Sequence, residues 1–460
     1  MPDTTSVSWP LRRVDWIVLL VHGVLVLAVA GWLTATAMHL DRAPDQWMPL
    51  IVPIVVCGLG FLALTTAPLY PLIGLWVYIV LAYGFRHYQP EYGILLDTMT
   101  LEWVAMLTAL GWLGWLIRHG QRPAMPGNRL TWLLLAFVLW VGISSAASLL
   151  VVYPWEPYMK YHPFRFGSAA VMFLVAARFL KGPREFCLLG LILGGSLAVR
   201  AALAPESVRL NGDLAALIVI AIPLVLLAAQ LTQQMILRVV FVLLALDLSW
   251  LLYETRNRGA AVAAVAVVGL LWMQSRHKVL ALALALPVIV AGSTMFMSTS
   301  YWQRFADLWE NGPARGSAES RLEIWEGSWK MFREHPLTGV GPGNYVALLK
   351  DYAPRHQGFG PHNNYIALLS ETGLPGLMLY VAFFLSAAGV LWHVGRSHVD
   401  VWPGGAARFA LAALVAYLVA GCFIARQTQT LAYVLAGASV ALCGVGNASI
   451  TDRHQPAIQN

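Results

Sequence analysis

GDLAALIVIAIPLVLLAAQ, Gly212 to Gln230, carries no charge after Asp213 and only Pro223 interrupts its apolar residues. A helix rises about 1.5 Å per residue, and about 20 such residues cross the roughly 30 Å hydrocarbon core of a bilayer. The stretch therefore reads as a membrane span, and roughly fourteen stretches of similar character can be marked along the chain. Beyond Gly212–Gln230, spans are expected near 16–38, 48–65, 69–85, 98–117, 130–151, 165–180, 184–203, 236–253, 259–273, 278–297, 373–393, 406–425 and 429–446. Several are short or split by proline, so twelve to fourteen is the expected count. The fold class is an all-α polytopic integral membrane protein with one long extramembrane loop.

Composition agrees: of 460 residues, 58% are apolar and 12% charged, against about 25% charged in an average soluble chain. Too little polar sequence remains for an independent water-soluble domain. The run 16–38 follows Arg12 and Arg13, exceeds a signal-peptide core and has no small-residue cleavage site, so it reads as a retained first span. The net charge of +7 is scattered over the ends of apolar runs, which disfavours nucleic acid as a partner. Cys57, Cys187, Cys422 and Cys443 all fall in apolar runs without a CxxC pair, so they read as packing residues and not as a zinc site or disulfide framework. Three parts follow: N-terminal transmembrane helices over 1–297, a loop bearing the chemistry over 298–372, and C-terminal helices with a short tail over 373–460.

Lys and Arg in short loops favour the cytoplasm. With alternating spans, Arg12 and Arg13, then Arg118, Arg122 and Arg129, then Lys181 to Arg184, Arg276 with Lys278, and Arg396 with Arg408 fall on one side. Both termini are then cytoplasmic. The other face holds Arg200 with Arg209, Arg256 with Arg258, and the long insert from Ser298 to Pro361. Each arginine pair has an ordinary reading, interfacial anchoring or pairing with Glu206 and Glu254. Their convergence with the insert favours an anion site, because guanidinium stays charged and binds phosphate oxygens bidentately. Asp97, Glu102, Arg178 and Asp247 lie at membrane depth on separate spans, and paired or snorkelling side chains are the expected reading.

Within the insert, RLEIWEGSWKMFREHP (321 to 336) places Leu322, Trp325, Trp329 and Phe332 on one helical face. An amphipathic helix is expected, capped by Ser320 with Glu323 and stopped by Pro336. Its tryptophan stripe either packs on the protein or lies along the membrane interface. The Gly339-Val340-Gly341-Pro342-Gly343 stretch lacks the preceding strand and the closing Lys-Ser or Lys-Thr of a phosphate loop, so it is read as a shaped turn. His362 stands at a helix start on the arginine-bearing face, either as a hydrogen-bonded structural residue or as a general base near neutral pH.

Arg321, the run His-Pro-Leu-Thr-Gly-Val-Gly-Pro-Gly-Asn (335 to 344), His362-Asn363-Asn364-Tyr365 and Glu371 to Gly376 together resemble the O-antigen ligase and polymerase superfamily of bacterial envelope glycosyltransferases. Arg256-Asn257-Arg258-Gly259 is similar to an element before a span in that family, and Arg209-Leu210-Asn211-Gly212 matches loosely. The resemblance implies roughly twelve spans and transfer of a glycan from undecaprenyl pyrophosphate, at the periplasmic face of the inner membrane, to an acceptor. It implies a catalytic His362. Such chemistry needs two phosphates held and one proton removed, which arginines and one base supply. Arg258 and Arg321 are the first choices for pyrophosphate, with Arg200, Arg209 and Arg256 second.

The expected activity is inverting, with no cofactor and no metal, since no Asp-x-Asp pair or His-Cys cluster lies on the active face. The expected partners are the lipid-linked donor, a lipid A core acceptor and membrane lipids. An O-antigen polymerase and a protein O-oligosaccharyltransferase share the donor. A lipid-linked glycan flippase would require a charged transmembrane path and inverted repeats, and no such repeat is found.

Overall fold

The computed structural model describes residues 71–85, 99–118, 128–150, 157–203, 212–275, 278–279, 317–399 and 401–454. They form two compact units, Met1–Pro123 and Ala124–Asn460. In the first, α1 (Leu72–Ile79) continues as a π-helical segment, Val80–Phe85, and packs on α2 (Met99–Arg118).

The second unit contains α3 (Arg129–Leu150), α4 (Pro157–Phe179), α5 (Pro183–Leu203), α6 (Gly212–Leu231), α7 (Met235–Glu254) and α8 (Arg258–Gln274). The insert contributes α9 (Ser317–Glu334), α10 (Tyr345–Tyr352) and a 3-10 turn at Pro354–His356. Then follow α11 (Asn364–Ser397), α12 (Trp402–Ala420) and α13 (Thr430–His454). Among the described residues there is no strand, and six helices are long and apolar enough to cross a membrane: α3, α5, α6, α7, α11 and α12. The all-α polytopic class stands. Expected spans 16–38, 48–65 and 278–297 lie outside the described residues, apart from 278 and 279, and each of the others coincides with a helix.

At the centre, α6 packs against α5, α7, α8 and α12, while α12 also meets α8, α11 and α13. Small residues permit this, as expected where lipid gives helices no hydrophobic reason to associate and close contact must do so. Ala406, Ala407, Ala410, Ala412, Ala413 and Ala416 of α12 are wholly buried. A Cβ on Gly190 of α5 would lie 2.7 Å from the Leu224 carbonyl oxygen of α6, closer than a side chain tolerates. By contrast, Ile236, Leu243, Leu246 and Trp250 of α7 point outward. In water they would form a sticky patch; against acyl chains they are solvated.

An aromatic cluster joins α11, α12 and α13. Phe383 and Phe384 meet edge to face at 4.9 Å, and Tyr380, Tyr417 and Tyr433 pack around them. The phenols must also find partners, because a buried hydroxyl left unpaired costs about 1–3 kcal/mol. Tyr417 donates to the Arg426 carbonyl at 3.1 Å and accepts from Tyr380, while Tyr433 donates to the Gln427 carbonyl at 3.2 Å. The core thus fixes the short connection between α12 and α13.

Helix α11 breaks at Gly373, whose φ is 68°. The break leaves carbonyls without helical donors, because Leu374 N–H turns to the Pro336 carbonyl and Pro375 has no N–H. The glycine-rich turn supplies them: Val340 N–H reaches the Ser370 carbonyl and Gly341 N–H the Glu371 carbonyl, each at 2.9 Å. Gly343 N–H and Gln427 Nε2 then take the two carboxylate oxygens of buried Glu371, both at 3.0 Å. Backbone shaping is indeed what this turn does.

One expectation about α9 needs correction. The helix begins at Ser317, so Ser320 lies inside it and no capping box forms there; Glu323 instead bonds His356 Nε2 at 2.8 Å. The buried face is Ile324, Ser328 and Met331, packed on Val340, Tyr345, Leu348 and Leu349 of the following segment. Leu322 and Trp329 stay exposed, and Trp325 is half-buried. Periodicity located the helix, but its buried face was chosen by the glycine turn and α10, which offer a complementary surface to the narrower side.

Candidate functional site

The far ends of several helices converge at one end of the second unit. The end of α5 brings Arg200, the start of α6 Asp213, the α7–α8 turn Arg256 and Arg258, the start of α9 Arg321, and the start of α11 His362.

His362 is gripped on both sides. Before it, the Pro361 carbonyl accepts from Trp325 Nε1 of α9 at 2.8 Å. After it, Asn363 caps α11, its Oδ1 accepting from Tyr365 N–H and Ile366 N–H at 2.9 and 3.1 Å. Asn363 Nδ2 also donates to the Cys422 carbonyl at 3.1 Å, and Asn364 N–H to the Gly421 carbonyl at 2.7 Å. Asn364 Oδ1 accepts from Arg426 N–H. The histidine itself has φ of 50°, in the left-handed region that non-glycine residues seldom occupy. Its surroundings impose that conformation and leave the side chain partly exposed.

Burial of part of the imidazole, then the nearby Arg321 guanidinium, hold its pKa below the usual histidine value, while Asp213 acts in the opposite sense. The neutral form is therefore favoured, as a base requires. Asp213 forms an ion pair with Arg426, and both lie within electrostatic reach of Arg200, which is only 7% exposed. His362, Arg321 and Arg200 thus lie at the same end of the bundle.

The turn carrying Arg256 and Arg258 is docked on the start of α6 and the α12–α13 connection. Asn257 caps α8 by accepting from Ala260 N–H at 2.9 Å. A Cβ at Gly212 would lie 2.6 Å from Asn257 Nδ2, and one at Gly259 would lie 2.5 Å from Phe423 Cβ. Glycine at both positions lets the turn touch α6 and the α12–α13 connection. Arg256, like His362, has a positive φ, 47°. Arg256 and Arg258 are exposed, and Arg209 lies outside the described residues.

Asp213 and Arg426 are the site residues that sequence reasoning passed over. The available signal was the polar break Arg426-Gln427-Thr428-Gln429 between two apolar runs, on the side of the insert. Among the intramembrane charges, Asp247 is exposed on α7 and Asp97 lies outside the described residues. Among the described residues no group of three His, Cys, Asp or Glu side chains is placed to hold a metal ion.

Residues 239–381, about a third of the chain, match the family model described as O-antigen ligase. Over that segment the chain is similar to the O-antigen ligase family. The O-antigen ligase match runs from α7 through the insert to the middle of α11, so it contains Arg256, Arg258, Arg321, His362 and the Gly373 break, whereas Arg200, Asp213 and Arg426 lie outside it. The match supports an activity of the ligase or polymerase type in a multi-pass membrane protein. Among curated proteins, none matches the chain.

Proposed function

We propose that the protein is an O-antigen ligase of the bacterial inner membrane, transferring glycan from undecaprenyl pyrophosphate to a hydroxyl of the lipid A core at the periplasmic face. The observation that carries this reading is His362, placed beside Arg321 with its pKa lowered, at the end of the bundle that also holds the turn of Arg256 and Arg258. His362 takes the proton of the acceptor hydroxyl as that oxygen forms its bond to the anomeric carbon. The bond from the anomeric carbon to the phosphate oxygen breaks, and undecaprenyl pyrophosphate leaves with the electron pair. Attack opposite the leaving group inverts the anomeric centre. Arg258 and Arg321, seconded by Arg200, Arg209 and Arg256, offset the charge that gathers on the pyrophosphate.

The deciding experiment gives purified protein in lipid nanodiscs an undecaprenyl-pyrophosphate-linked glycan with, separately, lipid A core, a second lipid-linked glycan or a Ser/Thr peptide. Transfer to the core alone is expected; transfer to either other acceptor instead would reassign it. Guanidinium groups in place of a divalent ion predict that EDTA leaves the rate unchanged. Loss of transfer restored only by magnesium or manganese would count against that.

A further inference from the structure

Three guanidinium groups, of Arg200, Arg321 and Arg426, belong to this end of the bundle, and the Asp213 carboxylate pairs with Arg426 and acts on both Arg200 and His362. Its position is built from both sides. Asp213 stands in the first turn of α6, where the unpaired N–H groups of a helix favour negative charge. Arg426, its partner, is fixed by its own backbone: the N–H donates to Asn364 Oδ1 and the carbonyl accepts from Tyr417. Asn364 is two residues from His362, so the ion pair ties α6, the α12–α13 connection and the histidine turn into one unit. Deep beside it, Arg200 Nε is buried with no hydrogen-bond partner among the described residues. An unfilled buried donor beside surplus positive charge points to an anion that is not part of the chain.

We propose that Asp213 is a positioning residue for the His362 turn and an internal counter-ion, competing with the donor's pyrophosphate for Arg426 and Arg200. The proposal rests on the reading of this site as a pyrophosphate-dependent transferase, and it assigns roles to two residues outside the family match. In the resting site Asp213 limits repulsion between Arg200 and Arg426. When a diphosphate arrives, its oxygens take over part of the guanidinium fork, which leaves the carboxylate charge more fully available to the imidazolium that forms as the proton is removed. Substrate binding thereby strengthens the base.

Other groups around the imidazole are accounted for. Arg321 of α9 repels its charged form. Arg256 and Arg258 stand on the α7–α8 turn, and Cys422 sits in the connection with its carbonyl on Asn363. Glu323 and His356 pair with each other along the insert.

Two substitutions in the full-length protein in nanodiscs have effects of opposite sign. The ring titration of His362, followed by NMR of labelled histidine and assigned by the signal missing in His362→Ala, is measured together with binding of inorganic pyrophosphate. Asp213→Asn should lower the His362 pKa and tighten pyrophosphate by roughly tenfold, the size expected from removing one like charge at a partly screened distance. Arg426→Gln should raise the His362 pKa, because Asp213 loses its partner, and weaken pyrophosphate. In transfer assays Asp213→Asn should lower KM for the donor and lower kcat together, with Asp213→Glu recovering part of kcat. A residue that merely held the fold would alter thermal stability without this split. If Asp213→Asn fails to fold, Arg426→Gln decides alone: an unchanged titration overturns the proposal. Pyrophosphate binding that is present but identical in wild type and variants also overturns it and leaves the proposed function standing. Pyrophosphate that binds none of them removes both.

Discussion

His362 holds its place through neighbours more than through contacts of its own ring, and its pKa is set from opposite directions by burial with Arg321 and by Asp213. A base works only while deprotonated, so a lowered pKa keeps it competent further into acid. The acidic limb of kcat/KM should accordingly fall below pH 6.5, the ordinary histidine value. Arg321→Gln removes a repelling charge and should move that limb upward, even as it weakens donor binding. His362→Ala should remain folded and lose about a hundredfold to ten-thousandfold in rate, and near wild-type turnover would make the histidine structural. Arg258→Lys should also lose much activity, since a point charge cannot reproduce the guanidinium fork. At this scale His362 and Arg321 were legible because they stand in a recognisable run. Arg426 was not, because a lone arginine between two spans reads as an interfacial anchor until the fold brings Asp213 to it.

Helix α9 shows what periodicity delivers and where it stops. Its existence and its proline-marked end were legible, yet the apolar stripe with the larger side chains is not the buried one. Trp325 lies at the border between the two faces, and there its indole N–H holds the Pro361 carbonyl. Trp325→Phe keeps an aromatic six-membered ring and deletes that donor, leaving the carbonyl short of a partner at a cost of about 1–3 kcal/mol. Because Pro361 immediately precedes the histidine, the loss should appear as a severalfold lower kcat with little change in donor KM, measured by steady-state transfer. An unchanged kcat would show that the histidine turn is held from the Asn363 side alone. Similarly, the glycine turn was recognisable as backbone-shaping, but its task of capping the broken α11 depends on Pro375 and Gly373 more than thirty residues away.

For the whole molecule, hydropathy located every described span because the bilayer sets one length scale for all of them; packing order among helices was not legible, since glycine and alanine contacts leave little pattern in a single chain. The proposed orientation puts the insert in the periplasm. With the native cysteines replaced, Gln357→Cys in the insert should react with an impermeant thiol reagent on cells with a permeabilised outer membrane, and Gln233→Cys between α6 and α7 should not. The reverse would invert the topology. The acceptor is the remaining question at this scale, because ligase and polymerase share the histidine and arginine chemistry. A polymerase must grip two lipid-linked glycans and retain the growing chain, for which a second substantial periplasmic loop is expected, and the stretch from Tyr153 to Arg165, which from Pro157 onward belongs to α4, is short for that task. The single large insert instead leaves Leu322, Trp329 and Leu337 exposed, apolar groups suited to lie beside one membrane-embedded donor. A cell lacking the protein separates the two outcomes. Loss of a ligase leaves full-length polymer on the undecaprenyl carrier and bare lipid A core, the expected result. Loss of a polymerase leaves cores capped by a single repeat unit, and that pattern would reassign the acceptor while leaving the roles of His362 and its arginines as proposed.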